Sequence, residues 1–223
     1  MSVQERLSAV LSRVDAACAA AGRERTDVRL VAVSKMRTVE EIQAAMTCGQ
    51  VDFGENYAQH LRDKCDAIGP GPAWHFIGAL QKNKVKYVAG RAHLFHALDR
   101  IGLADEFQKR SGTPQPVLVA VNTGGEASKT GVDVDAALSL CEAVELHPGV
   151  ELQGLMTIPP PVEQPQDAAP FFATLSELAQ EGRRRGLPLT ELSMGMSHDF
   201  EVAIAQGATL VRVGTAIFGP RPT

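Results

Sequence analysis

A lysine ends the first predicted β-strand of this 223-residue chain, in the run VRLVAVSK over residues 28–35. Because side chains alternate along a strand, Lys35 shares a face with Val31 and Val33. An ammonium group is costly to bury among valines, so this position favours the neutral amine. A neutral lysine amine is the nucleophile that forms Schiff bases with aldehydes. The simpler interpretation is a strand-end lysine that reaches water, and for this strand taken alone it is the better one.

The last two predicted strands carry a second group of polar residues. Ser197 precedes a helical pattern near 198–206 and can serve as its N-cap. A helix N-terminus also presents free amides to an anion. Gly214 and Thr215, after the final strand, offer two further amides and a hydroxyl. Together these residues predict a phosphate site, although Ser197 taken alone is equally compatible with a simple cap and Gly214 with a turn.

An arginine lies beside this predicted phosphate site. Alternation places Arg212 on the same face as Gly214. A Schiff-base lysine and a phosphate site suggest pyridoxal 5′-phosphate (PLP), a flat ligand with an aldehyde and a phosphate at separate corners. A buried arginine keeps its charge, so Arg212 could donate to the pyridine nitrogen without losing its proton. The ring would then be a weaker electron sink. The alternative for Arg212 is an ion pair with a neighbouring carboxylate.

The elements that must position these residues alternate along the chain. After an amphipathic N-terminal helix, apolar runs near 28–35, 51–55, 74–80, 93–98, 117–122, 152–158, 190–194 and 209–214 predict eight strands. Helical patterns near 38–48, 56–67, 81–88, 100–111, 133–146, 167–185 and 198–206 separate or follow them.

Eight βα units favour a single α/β domain over residues 1–223, a (β/α)8 TIM barrel with an extra N-terminal helix. A doubly wound sheet also alternates, but no G-x-G-x-x-G motif follows the first strand. In a barrel the active site lies at the carboxyl ends of the strands, where Lys35 and Thr215 fall. The proline-rich stretch 158–165 follows the sixth strand, and we expect it to cover that face.

Composition excludes several classes of protein. A net charge of −4 gives no basic footprint for nucleic acid. No apolar run is long enough to span a bilayer, and the N-terminus lacks the apolar stretch of a signal peptide. The arginines at 183–185 are typical of a solvated helix end. Because Cys18, Cys48, Cys65 and Cys141 are widely spaced, we expect reduced, mostly buried thiols in a cytoplasmic protein, and we expect a monomer.

Other polar residues favour simpler interpretations. Alternation sends His93 and His96 to opposite faces of a strand, so a shared metal ion is not expected. His75 is interpreted as a hydrogen-bonded histidine in the core or behind the site, and Trp74 as a core residue. Lys129 either approaches the cofactor phosphate, holds a second PLP or lies on the surface.

Nearly the whole chain resembles the YggS/PROSC family, the PLP homeostasis proteins related to the N-terminal domain of alanine racemase. The matching segments are LVAVSK at 30–35, FGENY at 53–57, WHFIG at 74–78, LQ at 80–81, NK at 83–84, VN at 121–122, SKTG at 128–131, GLM at 154–156, LSMGMS at 192–197 and VRVGTAIFG at 211–219. The chain departs from the family pattern at Ala79, Lys82 and His198, none of which is an inferred cofactor contact, and its Gly124-Gly125 pair makes one loop more flexible.

The resemblance implies a fold-type-III PLP barrel in which Lys35 holds the cofactor as an internal aldimine. It implies phosphate contacts from Ser197, Gly214 and Thr215, places Arg212 near the cofactor ring, and puts Asn56 near the cofactor. It also implies a role in intracellular PLP homeostasis, as a carrier and buffer of the reactive aldehyde. PLP-dependent client enzymes are the partners that such a role would involve.

Catalysis is the main alternative to this role. Alanine racemase takes a tyrosine base from a separate β domain, and we expect no such domain here. The only tyrosines, Tyr57 and Tyr87, fall early in the chain. We therefore expect no robust turnover. A weak PLP-dependent amino-acid racemase with Lys35 as one base remains the leading rival, and an aldolase that uses Lys35 without a cofactor is the third.

Overall fold

Eight parallel strands close into a barrel in the computed structural model, which describes residues 1–125 and 131–220. The described residues form nine strands, eight of which make the barrel. They are β1 (Arg29–Val33), β2 (Asp52–Glu55), β3 (Ala73–Phe76), β4 (Leu94–Leu98), β5 (Gln115–Asn122), β6 (Val132–Asp133), β7 (Val150–Met156), β8 (Glu191–Ser193) and β9 (Leu210–Val213). They pair in the order β1-β2-β3-β4-β5-β7-β8-β9, and β9 pairs again with β1. The two-residue β6 lies outside this ring, on the end of β5. The predicted (β/α)8 barrel is confirmed.

Helices surround the barrel. They are α1 (Val3–Ala20), α2 (Val39–Met46), α3 (Ala58–Ile68), α4 (Ile101–Arg110), α5 (Val134–Glu145), α6 (Ala169–Arg184), α7 (Phe200–Ala205) and α8 (Thr215–Phe218), with 3₁₀ turns at Arg25–Asp27, Lys82–Tyr87 and Pro165–Ala168. The extra N-terminal helix α1 begins with a capping box between Ser2 and Glu5, and it packs against α7 and α8. It buries Leu7, Val10 and Val14, one apolar stripe at helical spacing.

Four elements differ from the sequence-based expectation. The segment predicted as a helix over 81–88 is a 3₁₀ helix, Lys82–Tyr87. The last predicted helix begins at Phe200, two residues later than expected. The four-residue α8 and the two-residue β6 were not predicted, because elements this short contain too little periodicity to detect.

The strands are buried on both faces, by the helices outside and by each other inside. All five residues of β4 are buried, which explains why such strands are continuous apolar runs rather than alternating ones. Close packing of β7 against β8 requires Gly154, where a Cβ would lie 1.9 Å from the carbonyl oxygen of Glu191.

Two further expectations concern thiols and membranes. The four cysteines are all unpaired, as predicted, but only Cys18 and Cys141 are buried, while Cys65 is partly exposed and Cys48 exposed. Burial raises the pKa of the Cys141 thiol to about 12, so it is an unreactive core residue. Within the described ranges, none of the helices combines the length and hydropathy needed to cross a membrane. Lys129 lies outside the described residues.

Candidate functional site

A cavity of about 260 Å³ opens at the carboxyl ends of the barrel strands. Its volume is close to the lower limit of roughly 300 Å³ for small-molecule sites. Segments that follow β1, β2, β3, β7, β8 and β9 contribute its lining. The lining includes every predicted site residue: Lys35, Asn56, Ser197, Arg212, Gly214 and Thr215.

Lys35 follows a tightly fixed residue. The Ser34 amide donates to the Gly54 carbonyl at 2.9 Å, and the Ser34 hydroxyl donates to Oε1 of Glu55 at 2.8 Å. Lys64, from α3, donates from Nζ to the Ser34 carbonyl at 2.7 Å and to Glu55 Oε1 at 2.5 Å. The position of Lys35 is therefore set by a buried cluster behind β1 and β2, which we call the Ser34–Glu55–Lys64 cluster.

The residue after Lys35 has an unusual backbone conformation. Met36 has a φ of 61°, and it is the one non-glycine residue with a positive φ in residues 1–125 and 131–220. Such a conformation costs on the order of 1–3 kcal/mol and persists where the surroundings impose it. Lys35 and Met36 form this strained turn two residues after the end of β1, and about half of Met36 remains exposed. Lys35 itself is partly buried at the cavity wall.

Asn56 brings an unsatisfied acceptor to the cavity. Its Oδ1 atom is buried and has no hydrogen-bond partner among the described residues. The segment after β3 approaches the backbone of Asn56 closely, since a Cβ at Gly78 would lie 2.2 Å from the backbone carbonyl oxygen of Asn56. A buried acceptor without a partner costs free energy, so Asn56 Oδ1 is a place where a donor group of a ligand would be stabilising.

Ser197 joins the segment after β8 to the segment after β9. Its hydroxyl oxygen accepts a hydrogen bond from the Gly214 amide at 3.3 Å. The predicted N-cap role is wrong, because α7 begins at Phe200 and Asp199 occupies the cap position. The Asp199 carboxylate instead accepts from the Met196 amide at 2.6 Å. Ser197 therefore faces the cavity, with its hydroxyl bonded to the opposite loop rather than to the helix.

Arg212 is buried inside the barrel, with 4% of its surface exposed. It donates from Nη1 to the Ser193 hydroxyl at 2.5 Å and from Nη2 to the Thr157 carbonyl at 2.9 Å. Burial lowers the pKa of its guanidinium to about 10, which still leaves it charged at neutral pH. Arg212 does not form the ion pair that was the alternative, since the Ser193 hydroxyl and the Thr157 carbonyl are both neutral. The charge of Asp199 stabilises the guanidinium only through space.

The histidines behind Arg212 are closer together than predicted. His96 is fully buried and bonds to His75, with 2.8 Å between His96 Nε2 and His75 Nδ1. His93 precedes β4, and its ring also contacts His75, with 5.7 Å between centroids. His93 is exposed and His96 is fully buried, yet both rings contact His75. His75 is the hydrogen-bonded interior histidine that the sequence predicted.

Sequence reasoning missed several residues of the cavity wall. Arg37 lines it, and its guanidinium is fixed by the carbonyl oxygens of Gly219 and Pro220, at 2.6 and 2.7 Å. No spacing signal separates Arg37 from a surface arginine. The other wall residues, none of them predicted as a cofactor contact, are Val33, Ile77, Ile158, Met196 and His198. Ile158 is the first residue of the stretch predicted to cover this face.

Comparisons with known proteins identify the family of this chain. Residues 6–222 match the family defined by the N-terminal domain of alanine racemase. A protein from Aquifex aeolicus named pyridoxal phosphate homeostasis protein is 47% identical over 226 residues, which cover 99% of both chains. A protein of the same name from Vibrio cholerae is 40% identical over 228 residues, covering 99% of this chain and 97% of that one. This chain belongs to the pyridoxal phosphate homeostasis protein family.

Solved structures place this family member in the same fold. PipY from Synechococcus elongatus PCC7942, solved with PLP bound, has a TM-score of 0.82 and 29% sequence identity, covering 98% of this chain and 100% of that one. Alanine racemase from Corynebacterium glutamicum has a TM-score of 0.74 at 17% identity, covering 97% of this chain and 62% of that one. The second similarity shows the fold alone. The family resemblance inferred from the sequence motifs is confirmed.

Proposed function

We propose that this protein binds PLP at Lys35 and acts as a carrier and buffer in PLP homeostasis. The observation that carries this proposal is the convergence of an amine, two hydroxyls and a buried arginine, Lys35, Ser197, Thr215 and Arg212, on one cavity of small-molecule size. When bound, PLP supplies an aldehyde carbon that can form a C=N bond with the Lys35 amine, the aldehyde oxygen leaving as water with the two amine hydrogens.

The cavity wall suits an anionic ligand. Arg37 and Arg212 line it, and no acidic residue does within the described part of the chain. Ser197 and Thr215 provide hydroxyl donors, and Gly214 and Thr215, where α8 begins, lie on the same wall. The Ser197–Gly214 hydrogen bond of 3.3 Å is long. The Ser197 hydroxyl can therefore turn from it to a phosphate at small cost, which also leaves the Gly214 amide available as a donor. Asn56 Oδ1 would gain a partner from a ligand donor.

Arg212 favours storage over turnover. Its guanidinium keeps its proton at neutral pH and can only donate hydrogen bonds. A ring nitrogen that accepts from it stays unprotonated, which weakens the ring as an electron sink. A weak racemase is the second candidate, and the position of His198 on the cavity wall is the observation that favours it, because a second proton carrier would be needed there.

Absorbance tests the binding proposal. We expect the PLP-loaded protein to show a visible band that borohydride removes, and we expect Lys35→Ala to lose the band while keeping its melting temperature. Lys86→Ala, which removes an exposed lysine from another part of the barrel, is the matched control and should keep the band. A full, reducible band in Lys35→Ala would overturn the assignment of Lys35.

Deuterium exchange at Cα of amino acids separates the carrier from the racemase. We expect the loaded protein to exchange this position far below the roughly 1–1000 per second of ordinary enzymes. Rates in that range, abolished by His198→Ala, would make the protein a racemase instead.

We extend the proposal to the setting of the protein. A monomer in the cytoplasm that hands PLP to PLP-dependent enzymes is the role that we propose, and the free state of Cys18, Cys48, Cys65 and Cys141 suits a reducing compartment. Light scattering on the purified protein tests the first part, with the mass of a single chain as the expected result.

A further inference from the structure

A chain of five polar side chains crosses the barrel interior from one end to the other. It begins at Asp52, the first residue of β2, and ends at Arg212 on the cavity wall. The successive contacts are Asp52 Oδ1 to His75 Nε2 at 2.8 Å, His75 Nδ1 to His96 Nε2 at 2.8 Å, His96 Nδ1 to Ser193 Oγ at 2.8 Å, and Ser193 Oγ to Arg212 Nη1 at 2.5 Å. We call it the Asp52–Arg212 chain.

An ionised end and two neutral rings together fix the direction of every bond in this chain. The Asp52 carboxylate only accepts, so a neutral His75 carries its proton on Nε2 and accepts at Nδ1. His96 then donates from Nε2 to His75 and accepts at Nδ1 from the Ser193 hydroxyl. The Ser193 oxygen accepts from Arg212, because a guanidinium only donates. One pair of tautomers satisfies all four links.

Burial and charge support the same arrangement. Burial lowers the pKa of His75 and lowers that of His96 well below its ordinary value, so both rings are neutral at neutral pH. Burial opposes ionisation of Asp52, but its hydrogen bond with His75 and the charge of Arg29 outweigh that effect, and the pKa of Asp52 is lowered. The chain therefore has a positive end at the cavity, a negative end at the opposite mouth, and neutral imidazoles between.

We propose that the Asp52–Arg212 chain positions and polarises Arg212 toward the cofactor ring, so that Asp52, His75, His96 and Ser193 act as positioning residues of the PLP site. Ser193 and the Thr157 carbonyl hold two nitrogens of the guanidinium, which fixes its plane. The aligned donors transmit the negative charge of Asp52 through neutral groups to the arginine. This inference rests on the proposed function, because it needs a ring acceptor in the cavity.

Nitrogen NMR on the ligand-free protein tests the chain without any cofactor. With ¹⁵N-labelled histidine, we expect His75 and His96 to be neutral and protonated on Nε2 at neutral pH, with slowly exchanging Nε2 protons. A charged ring, or a proton on Nδ1 of either residue, would overturn the proposed direction of the chain.

The loaded protein tests the effect on the site. Asp52→Asn keeps an acceptor for His75 and removes only the charge. We expect it to shift the absorbance maximum of the bound cofactor and to raise the PLP dissociation constant roughly two- to tenfold, the effect of weakening one hydrogen bond. Asp66→Asn, at an exposed acid on α3, is the control that should change neither quantity.

A double-mutant cycle separates coupling from general damage. Ser193→Ala interrupts the chain next to Arg212, so Asp52→Asn should have no further effect on absorbance or affinity in that background. Additive effects would overturn the coupling, as would an Asp52→Asn protein that behaves like the Asp66→Asn control. If wild-type protein binds PLP and Asp52→Asn is silent, this inference fails alone. If wild-type protein does not bind PLP, the proposed function fails, and the NMR result still decides the tautomers.

Discussion

Two buried polar clusters support the cavity, and they are built differently. The Ser34–Glu55–Lys64 cluster lies between the barrel and α3, behind Lys35, and joins one carboxylate directly to one ammonium. Its Glu55 Oε2 atom has no hydrogen-bond partner among the described residues. The Asp52–Arg212 chain runs inside the barrel, and four paired links separate its two charges.

This difference matches what the proposed function requires of Lys35 and of Arg212. Lys35 needs a fixed location from which its amine can reach a ligand, and a compact ion pair that locks Ser34 supplies it. Arg212 needs a fixed orientation and a defined donor direction, and an extended chain of neutral groups supplies both. We therefore expect changes in the first cluster to act mainly on the stability of the fold. Changes in the second should act mainly on the properties of the site.

Breaking the ion pair behind Lys35 has the largest expected effect. Lys64→Met leaves the fully buried Glu55 carboxylate without its cation, which should lower the free energy of unfolding by about 3–5 kcal/mol. Urea denaturation measures this free energy, and Lys86→Met at an exposed position is the control. The double variant that combines Lys64→Met with Glu55→Gln should regain part of the lost stability. A Lys64→Met protein as stable as the control would show that the pair does not hold the Lys35 segment.

The interior chain predicts a pH dependence of stability. The pKa values of His75 and His96 are lowered in the folded protein, so below about 6.5 the unfolded chain binds more protons than the folded one. The free energy of unfolding should therefore fall as the pH drops from about 7 to about 5, with a slope of up to ~1.4 kcal/mol per pH unit for each histidine.

Urea denaturation at a series of pH values measures this slope. His96→Gln should remove about half of it, since one of the two buried imidazoles is then absent. A stability that stays level over this range would mean that the two rings are not held neutral.

Removing the two hydroxyls on the cavity wall should change the stability of the protein least. Ser197→Ala combined with Thr215→Ala removes the two hydroxyls that the proposal assigns to a phosphate group. Each such bond is worth roughly 1.5–3 kcal/mol, so losing both should raise the PLP dissociation constant about a hundredfold or more. The absorbance maximum should not move, because neither residue contacts the Asp52–Arg212 chain. Ser8→Ala, on the exposed face of α1, is the control, and equal affinity in both proteins would place the phosphate elsewhere.

The sequence located Lys35, Arg212, Gly214 and Thr215 because strand alternation and the barrel rule together specify both a face and an end. It misassigned the Ser197 hydroxyl because Ser197 and Asp199 are both capping residues, and nothing in the pattern decides which of them precedes the helix. A periodicity gives the start of a helix only to within a few residues.

The contacts within the two supporting clusters could not be predicted from the sequence, for a different reason. The pair of Glu55 and Lys64 joins a strand to a helix, and no spacing rule connects them. Alternation placed His75 and His96 on strands but did not give the depth at which their rings meet. It does not apply to His93, because that residue lies before the strand begins. Contacts between elements depend on the packing of the barrel, which a local pattern does not contain.

Mass spectrometry of the borohydride-reduced, PLP-loaded protein tests the central claim most directly. After proteolysis, we expect the reduced pyridoxyl adduct on the peptide that contains Lys35, at close to one adduct per chain, and only traces on other lysines. Lys35→Ala protein treated in parallel should lose this adduct. An adduct spread over several lysines, or concentrated on one outside the cavity, would contradict the assignment of Lys35 as the residue that holds the cofactor.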